Sequence, residues 1–509
     1  MTFILKGDIF TEIINLLLGG AAMLTIDNII YDLRNNGNKR IPEEKIAEVE
    51  TAYEIACDIH KNQFRESGEP YIIHPLNVAN NLLKMEIYDP DAIAAALLHD
   101  TIEDAEESFT KEDVANLINP TVAELVDGVT KISGMDYSNK QDKIIANKRK
   151  ITTALTNDIR IIYIKFADRL HNMSTLEFKR PEKQIDNARE TMDLYVPLAK
   201  KLGAYQIKNQ LEDISLKYLD PEAYKRITDS MKELETKETN RLKVMASVIR
   251  NDLDNKDIDN DIVFRTQSKN TIYKKMQADF KMENIFDLFY FKILVPTTED
   301  CYRTLYVVHR NYTPINGRFK DYITNPKDET YQSLHTTVCT EEELSELLAS
   351  MLAGYVKIKI RTFDMDKLAA HGYSAFWNFK DEEKGKTPEE TQKYIREKSM
   401  FINKIKEYDK NAKNDREYEE RLEKDVLSEH VYVYTASGIK VELPKGSTAI
   451  DFVLQLFPNE VDRMSGIMIN GKKVEKDKKL KNNDVVHIIV NGKINPEDWI
   501  ESNGYQKIK

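Results

Sequence analysis

The hydrophobic spacing changes period twice along this chain, and those changes limit its architecture more than any single motif does. From about residue 40 to 250 apolar positions recur every three or four residues, as in Ile46, Val49, Tyr53, Ala56 and Cys57 and again in Ile93, Ala94, Leu97 and Leu98. That spacing builds helices with one buried face. Gly68-Glu69-Pro70 interrupts it ahead of Tyr71, as turn residues do. Near 262 β-branched and aromatic runs take over, and 287–295, 336–339 and 355–360 read as strands with helical stretches between them. Residues 381–428 are strongly charged and lack glycine after Gly385, which predicts a helical connector with a solvated face. A third texture starts at 429, with strands at 430–434 and 439–443 around the turn Ala436-Ser437-Gly438, a short helix capped by Ser447-Thr448, and a closing strand at 485–490. The expected organisation is an N-terminal helical extension at 1–39, an all-α domain at 40–215, a helical linker at 216–261, an α/β domain at 262–380, a connector at 381–428, a small β-grasp module at 429–492 and a tail at 493–509.

With 74 Lys and Arg against 85 Asp and Glu, the formal net charge of this 509-residue chain is −11. A general nucleic-acid coat needs a net basic face, so that class is excluded, although a local basic pocket is not. Cys57, Cys301 and Cys339 are far apart and form no C-x-x-C, which excludes a disulfide scaffold and suits a reducing cytoplasm. The apolar stretch from Ile13 to Ala22 is about half the ~20 residues a membrane helix needs, so no membrane partner is expected. Residues 1–22 are expected to be a helical appendage, or an extension upstream of a start at Met23.

Chemistry concentrates in one ordered pattern, His74-Pro75, His99-Asp100 and Ala167-Asp168-Arg169-Leu170-His171-Asn172. Mixed imidazole and carboxylate ligands suit a divalent Mn, Fe or Zn ion, and manganese best tolerates an oxygen-rich set. An isolated His or Asp on a helix is more often an ordinary polar position; this ordered set argues for a metal centre. His99 and Asp100 can both reach one ion only if other helices bring His74 and Asp168 from opposite sides. Glu103 and Asp104 follow at i+4, on the same predicted helix face, where a carboxylate pair can orient or deprotonate an attacking water.

Arg65-x-Ser67-Gly68-Glu69-Pro70-Tyr71-Ile72-x-His74-Pro75, His99-Asp100-x-x-Glu103-Asp104 and Lys165-x-Ala167-Asp168-Arg169-x-His171-Asn172-Met173 resemble the HD-type hydrolase domain of the Rel/SpoT homologues, the long alarmone enzymes that make and destroy ppGpp and pppGpp. Residues 262–380 resemble the family's α/β, nucleotidyltransferase-like synthetase domain, through Phe286-Asp287-Leu288, 317–323 and 331–337, and 429–492 resemble its TGS module. The resemblance implies that His74, His99, Asp100 and Asp168 hold Mn²⁺, that Glu103 and Asp104 activate water, and that Arg65, Ser67 and Asn172 position (p)ppGpp for removal of its 3′-pyrophosphate. Glu66 stands at a position that is often basic in the family.

The synthetase chemistry is expected to be lost. The resemblance makes Asp287 a Mg²⁺ ligand, and a second carboxylate belongs to a strand reading E-x-Q-x-R-T. Here that strand is Lys357-Ile358-Lys359-Ile360-Arg361-Thr362, and an ammonium neither ligates Mg²⁺ nor serves as a base at pH 7. The family's G-R-x-K is Phe264-Arg265-Thr266-Gln267, its N-G before the stacking Tyr331 is Glu329-Thr330, and Ala370 and Phe376 replace a Glu and a His. Arg265, Lys275, Asp287, Arg318, Lys320, Tyr331 and His335 remain as a remnant that could still hold a nucleotide. The TGS histidine that contacts tRNA in the family has no counterpart near Leu456-Phe457, so tRNA or ribosome contact is not expected. The chain stops at Lys509, and the family's later regulatory domains are not expected. The reading is a cytoplasmic (p)ppGpp 3′-pyrophosphohydrolase; its rivals are a bifunctional synthetase-hydrolase, a non-catalytic guanine-nucleotide sensor, and an HD phosphohydrolase for another nucleotide.

Overall fold

The computed structural model describes residues 24–36, 41–105, 108–130, 140–277, 288–326, 330–339, 355–377, 390–391, 393–395, 399–423, 430–436, 438–481 and 484–490. The chain divides into two compact units, Met1–Asp415 and Arg416–Lys509.

The first unit opens with helices α1 (Ile26–Asn36), α2 (Glu43–Ile59), α3 (Ile73–Lys84), α4 (Pro90–Leu97), α5 (Thr101–Asp104), α6 (Lys111–Leu117), α7 (Pro120–Thr130), α8 (Lys140–Asn157) and α9 (Ile159–Ser174). Helix starts follow from local chemistry. Asp89 accepts hydrogen bonds from the amides of Asp91 and Ala92 at the start of α4, with Pro90 where no amide donor is needed. Asp158 caps α9 through the Arg160 amide, and Thr110 with Asp113 forms a capping box on α6. Arg160 ties two of these caps together, its Nη1 2.8 Å from Asp89 Oδ2 and its Nη2 2.7 Å from Asp158 Oδ2. Twelve of the sixteen residues of α9 are buried, so the other helices pack around it.

Helices α10 (Pro181–Glu190), α11 (Val196–Lys201), α12 (Tyr205–Leu219) and the 34-residue α13 (Pro221–Asp254) lead into a mixed sheet. Its strands are β1 (Asp261–Thr266), β2 (Phe289–Val295), β3 (Thr313–Pro314), β4 (Lys320–Asp321), β5 (Leu334–Cys339) and β6 (Val356–Thr362), in the order β1-β2-β6-β5-β3 with β4 also on β5. β2 and β6 run parallel; the other pairs are antiparallel. Helices α14 (Lys269–Gln277), α15 (Thr298–Asn311) and α16 (Phe363–His371) complete this part. Alternation along the strands sends Phe291, Ile293, Ile358 and Ile360 into a core with Leu242, Met245 and Ile249 of α13 and Val307 and Val308 of α15. Lys357, Lys359 and Arg361 therefore share the opposite face. α17 (Met400–Asn411) is held to α8 by Arg149, whose Nε donates to Asp409 Oδ1 at 2.9 Å.

The helical part and the sheet meet at a tight seam. The Tyr163 hydroxyl, inside α9, donates to His371 O at 3.0 Å and accepts from the Ser374 amide at 3.0 Å. Between these contacts Gly372 adopts φ +64°, and a Cβ there would lie 1.9 Å from Leu202 O. Only glycine satisfies both constraints.

The second unit includes β7 (His430–Thr435), β8 (Lys440–Pro444), α19 (Ala449–Leu456), β9 (Met464–Ile469), β10 (Lys472–Val474) and β11 (Val485–Val490), following α18 (Asp415–Leu422), which begins at the boundary between the units. The sheet order is β10-β9-β11-β7-β8, and α19 contributes Ala449, Phe452 and Val453 to its core. This is the expected β-grasp pattern, and the strand expectations hold to within a residue or two. Among the described residues no helix is long and apolar enough to cross a membrane. The expected appendage at 1–22 and the tail at 493–509 lie outside the described residues.

The seam yields a stability test. Gly372→Ala is expected to lower unfolding free energy by ~3 kcal/mol, combining a backbone region closed to side chains with overpacking. A matched pair of thermal unfolding curves checks this, and an unchanged midpoint would contradict the close packing at Leu202.

Candidate metal centre

His74 enters at the first turn of α3, where Pro75 needs no amide partner. His99 and Asp100 come from the break between α4 and α5. Sequence spacing predicted one continuous helix carrying His99 through Asp104. Instead α4 ends at Leu97, and Asp100 is the N-cap residue of the four-residue α5. That break lets two adjacent residues face the same point. Asp168 arrives from the middle of α9.

The four side chains converge. His74 Nε2 lies 3.2 Å from His99 Nε2, 3.7 Å from Asp100 Oδ2 and 3.4 Å from Asp168 Oδ1. His99 Nε2 lies 3.1 Å from Asp100 Oδ2 and 3.9 Å from Asp168 Oδ1. One ligand atom each from His74, His99 and Asp100 falls within 4.8 Å of the others. The donor chemistry fits a divalent cation. His99 Nδ1 is 2.8 Å from Ala96 O, a carbonyl that can only accept, so Nδ1 carries a proton and Nε2 is the atom turned to the centre. Two carboxylates and a second imidazole point lone pairs at the same place, which is costly without positive charge there.

The electrostatics report the same demand. Burial works against charge on His99, yet Asp100 beside it, reinforced by Asp168, pushes its pKa up to about 9. Asp100 is held well below the usual carboxylate range because the two histidines and the Tyr71 hydroxyl outweigh its burial. Asp168 is likewise lowered against its burial, through His74 and Lys165. His74 moves the other way, lowered chiefly by burial.

An ordered layer holds these ligands, and several of its members carry no obvious sequence signal. Tyr71 donates to Asp100 Oδ2 at 2.7 Å, and His171 Nδ1 sits 2.7 Å from His74 Nδ1. Burial, then His74 and Arg65, lowers the His171 pKa to about 3, keeping it neutral. Asn172 Nδ2 donates to Asp168 Oδ1 at 2.5 Å while its Oδ1 accepts from Arg65 Nη2 at 2.9 Å. Arg65 also reaches Thr175 Oγ1 at 3.2 Å. Thr175 was not predicted; its place one turn beyond His171 was the available clue. Gly68, at φ +85°, closes the turn that brings Arg65 back toward α9. Ser67 Oγ donates to Glu69 Oε2 at 3.1 Å.

Glu103 and Asp104 are exposed on α5. Asp104 Oδ2 lies 3.4 Å from His60 Nδ1, and burial followed by the Asp100 charge raises its pKa. The four-residue helix replaces the expected shared helix face, but the Asp104 amide still bonds Asp100 O at 3.0 Å. His60, also unpredicted, is buried and packs against Tyr71 with the rings tilted and their centroids 4.7 Å apart.

The synthetase-remnant residues lie elsewhere, on and around the mixed sheet. Arg265 on β1 pairs in register with Tyr290, which pairs with Lys357 on β6. Lys359 pairs with Lys292 and His335, and its Nζ lies 3.8 Å from the Tyr290 ring centre. Lys320 on β4 pairs with His335. Lys275 is on α14 and Arg318 precedes β4. The Tyr331 hydroxyl is 2.8 Å from His335 Nε2. Asp287 lies outside the described residues.

Comparison with known proteins gives a consistent picture. Residues 52–205 match the HD domain, 264–384 match the region found in RelA / SpoT proteins, and 431–490 match the TGS domain. A guanosine-3′,5′-bis(diphosphate) 3′-pyrophosphohydrolase of Aquifex aeolicus is 36% identical over 456 residues, covering 89% of this chain and 62% of its own length. A protein of the same name from Borreliella burgdorferi is 37% identical over 454 residues, covering 89% and 65%. A GTP pyrophosphokinase of Myxococcus xanthus is 34% identical over 464 residues, covering 90% and 59%. The chain thus spans about three fifths of the length of the curated relatives it matches. With all three regions in this order and the likeness extending over nearly its whole length, the chain belongs to the long RelA/SpoT homologue family.

Proposed function

We propose that this protein is a Mn²⁺-dependent 3′-pyrophosphohydrolase acting on ppGpp and pppGpp in the cytoplasm. The observation that carries the reading is the convergence of His74, His99, Asp100 and Asp168 beside the Arg65–Asn172 pair. The names of the relatives support the reaction. The four side chains would hold the ion, and the oxygen half of the set favours manganese. When bound, such an ion supplies Lewis acidity toward water and phosphate oxygen. Arg65, with Asn172 and Ser67, binds the substrate phosphates and offsets their charge. Asp104, its proton affinity raised by burial and by Asp100, takes the proton from water, assisted by Glu103. The water oxygen bonds to phosphorus, the bond to the ribose 3′ oxygen breaks, and the proton passes to that oxygen, leaving pyrophosphate and GDP or GTP.

The reading includes loss of (p)ppGpp synthesis. Lys357 and Lys359 share the sheet face of Arg265, Lys292 and His335, and Asp366, which reaches Lys292, is ion-paired with it at 2.7 Å. A surface so cationic can attract nucleotide phosphates near Tyr331 and Arg265, while Lys357 stands in place of the second carboxylate that transfer needs. The domain limits expected above, 40–215, 262–380 and 429–492, belong to the same proposal.

Two measurements test it. Purified protein with Mn²⁺ and ppGpp is expected to release GDP and pyrophosphate, with no activity in Asp100→Ala and a rate ~10²–10⁴-fold lower in Asp104→Asn; incubation with ATP and GTP should yield no pppGpp. Absence of hydrolysis in the manganese-loaded protein would sink the reading, and robust synthesis would refute the role given to Lys357. In a thermal melt, EDTA is expected to lower the midpoint and added Mn²⁺ to restore it, as binding only to the folded state requires. Asp168→Asn should blunt that response.

A further inference from the structure

His60 ends α2 beside the candidate metal centre, and its ring takes no part in the ligand set or the substrate contacts above. Its amide closes the helix on Ala56 O at 3.0 Å, and its carbonyl accepts from the Gln63 amide at 3.0 Å. The side chain is fully enclosed, yet Nε2 has no hydrogen-bond partner among the described residues. A buried nitrogen left this way costs stability. Packing against Tyr71, with ring centroids 4.7 Å apart, would be served as well by a phenyl ring. The Nδ1 atom therefore has to account for a histidine here.

Nδ1 lies 2.7 Å from Gln63 Oε1 and 3.4 Å from Asp104 Oδ2. Gln63 also hydrogen-bonds Asp104. A carboxylate can only accept, so the amide gives its Nε2 to Asp104 and keeps Oε1 for the ring. An amide oxygen can only accept as well, so Nδ1 carries a proton, and that donor faces both acceptors. Asp104 needs such a tether. It is the last residue of the four-residue α5, its side chain is 31% exposed, and Asp100, one turn earlier, repels it. Burial, then the Asp100 charge, raises the Asp104 pKa, whereas His60 and Gln63 act the other way and favour the ionised form that can accept a proton. The same segment restrains the neighbouring carboxylate. The Tyr71 amide donates to Gln63 O at 3.0 Å, and the Tyr71 hydroxyl donates to Asp100 Oδ2 at 2.7 Å.

We propose that His60, together with Gln63, is a positioning residue that holds the Asp104 carboxylate at a fixed distance from Asp100. One hydrogen-bonded segment, 60–71, then sets two carboxylates at once, Asp100 through the Tyr71 hydroxyl and Asp104 through the His60 Nδ1 proton. The spacing between the ion and the group that takes the proton from water is thereby determined from outside α5. The catalytic consequence rests on the function proposed above; the contact itself does not.

The test uses the full-length, manganese-loaded chain. His60→Phe keeps a ring on Tyr71 and removes the donor. Its kcat for ppGpp is expected to fall about tenfold, within the ~10²-fold that a 1 Å misplacement can cost, with KM and the Mn²⁺-induced rise in melting midpoint unchanged. His60→Asn, whose Nδ2 takes the place of Nδ1, should recover most of the rate; His60→Gln, whose amide reaches the place of Nε2, should not. In an Asp104→Asn background, His60→Phe should add no further loss. An unchanged kcat in His60→Phe, equal rates for the Asn and Gln variants, or full additivity with Asp104→Asn overturns the positioning role. If His60→Phe fails to fold, the Asn and Gln pair decides by itself. A second readout needs no turnover. With ¹⁵N-labelled histidine, and Zn²⁺ in place of paramagnetic Mn²⁺, the His60 ring, identified by its absence in His60→Asn, should carry a proton on Nδ1 and shift in Asp104→Ala. A proton on Nε2 alone, or resonances indifferent to Asp104, overturns the contact. If the parent chain hydrolyses no ppGpp, the proposed function fails, while the spectrum still decides the contact.

Discussion

A single helix buried along nearly its whole length sets the terms for the first unit. α9 carries Arg160, Lys165, Arg169 and His171 into the interior, and each must be compensated where it stands. Arg160 meets Asp89 and Asp158, Lys165 lies 3.7 Å from Asp168, and Arg169 reaches Glu190 at 2.8 Å and stacks over Tyr195. Removing one partner of such a pair typically costs about 3–5 kcal/mol, because the other charge stays buried. The helices around α9 are therefore located by charge pairing as well as by packing. Asp89 and Asp158 are also helix caps, so one guanidinium sets the starts of α4 and α9 together.

That constraint explains why a candidate metal centre can be assembled from segments nearly a hundred residues apart. α9 presents Asp168 to α3 and to the break before α5 on one side, and Tyr163 to the sheet-bearing part on another. The lone pairs gathered at the centre repel one another, and the fold holds them only because the surrounding layer is fixed. Tyr71 restrains Asp100, Ala96 restrains His99, His171 restrains His74, and Asn172 restrains Asp168. Preorganisation of this kind stores the cost of convergence in the folded state, ready for a cation. The seam around Gly372 attaches the mixed sheet to the same helix, so a displacement at either place is felt at α9.

Much of this was legible in the residues. Six strands of the two sheets followed from their β-branched and aromatic runs, whereas β1, β3, β4, β9 and β10 were not anticipated; the pattern from His74 to Asp168 picked out the four candidate ligands that converge, because its residue types have few other reasons to recur in order. The opposing face of the mixed sheet was also readable, since strand alternation places Lys357 with Lys359 whatever lies around them. Other features were not. His60 and Thr175 act through contacts with distant residues and have no local periodicity to mark them, and the contact of His171 with His74 was not visible in the motif that contains it. The end of α4 at Leu97 was missed because 97–104 contains no Gly or Pro; the break serves the joint presentation of His99 and Asp100, a tertiary demand that overrides propensity.

The sequence by itself determined the helical, mixed and β-grasp segments, the donor types at the centre and the cationic substitutions in β6, because these depend on spacing and residue chemistry within one element. Only the tertiary structure decided how His74, His99, Asp100 and Asp168 meet and which residues stand behind them. Those are distances between elements, and they are set by where buried charges find their partners, which no single segment encodes.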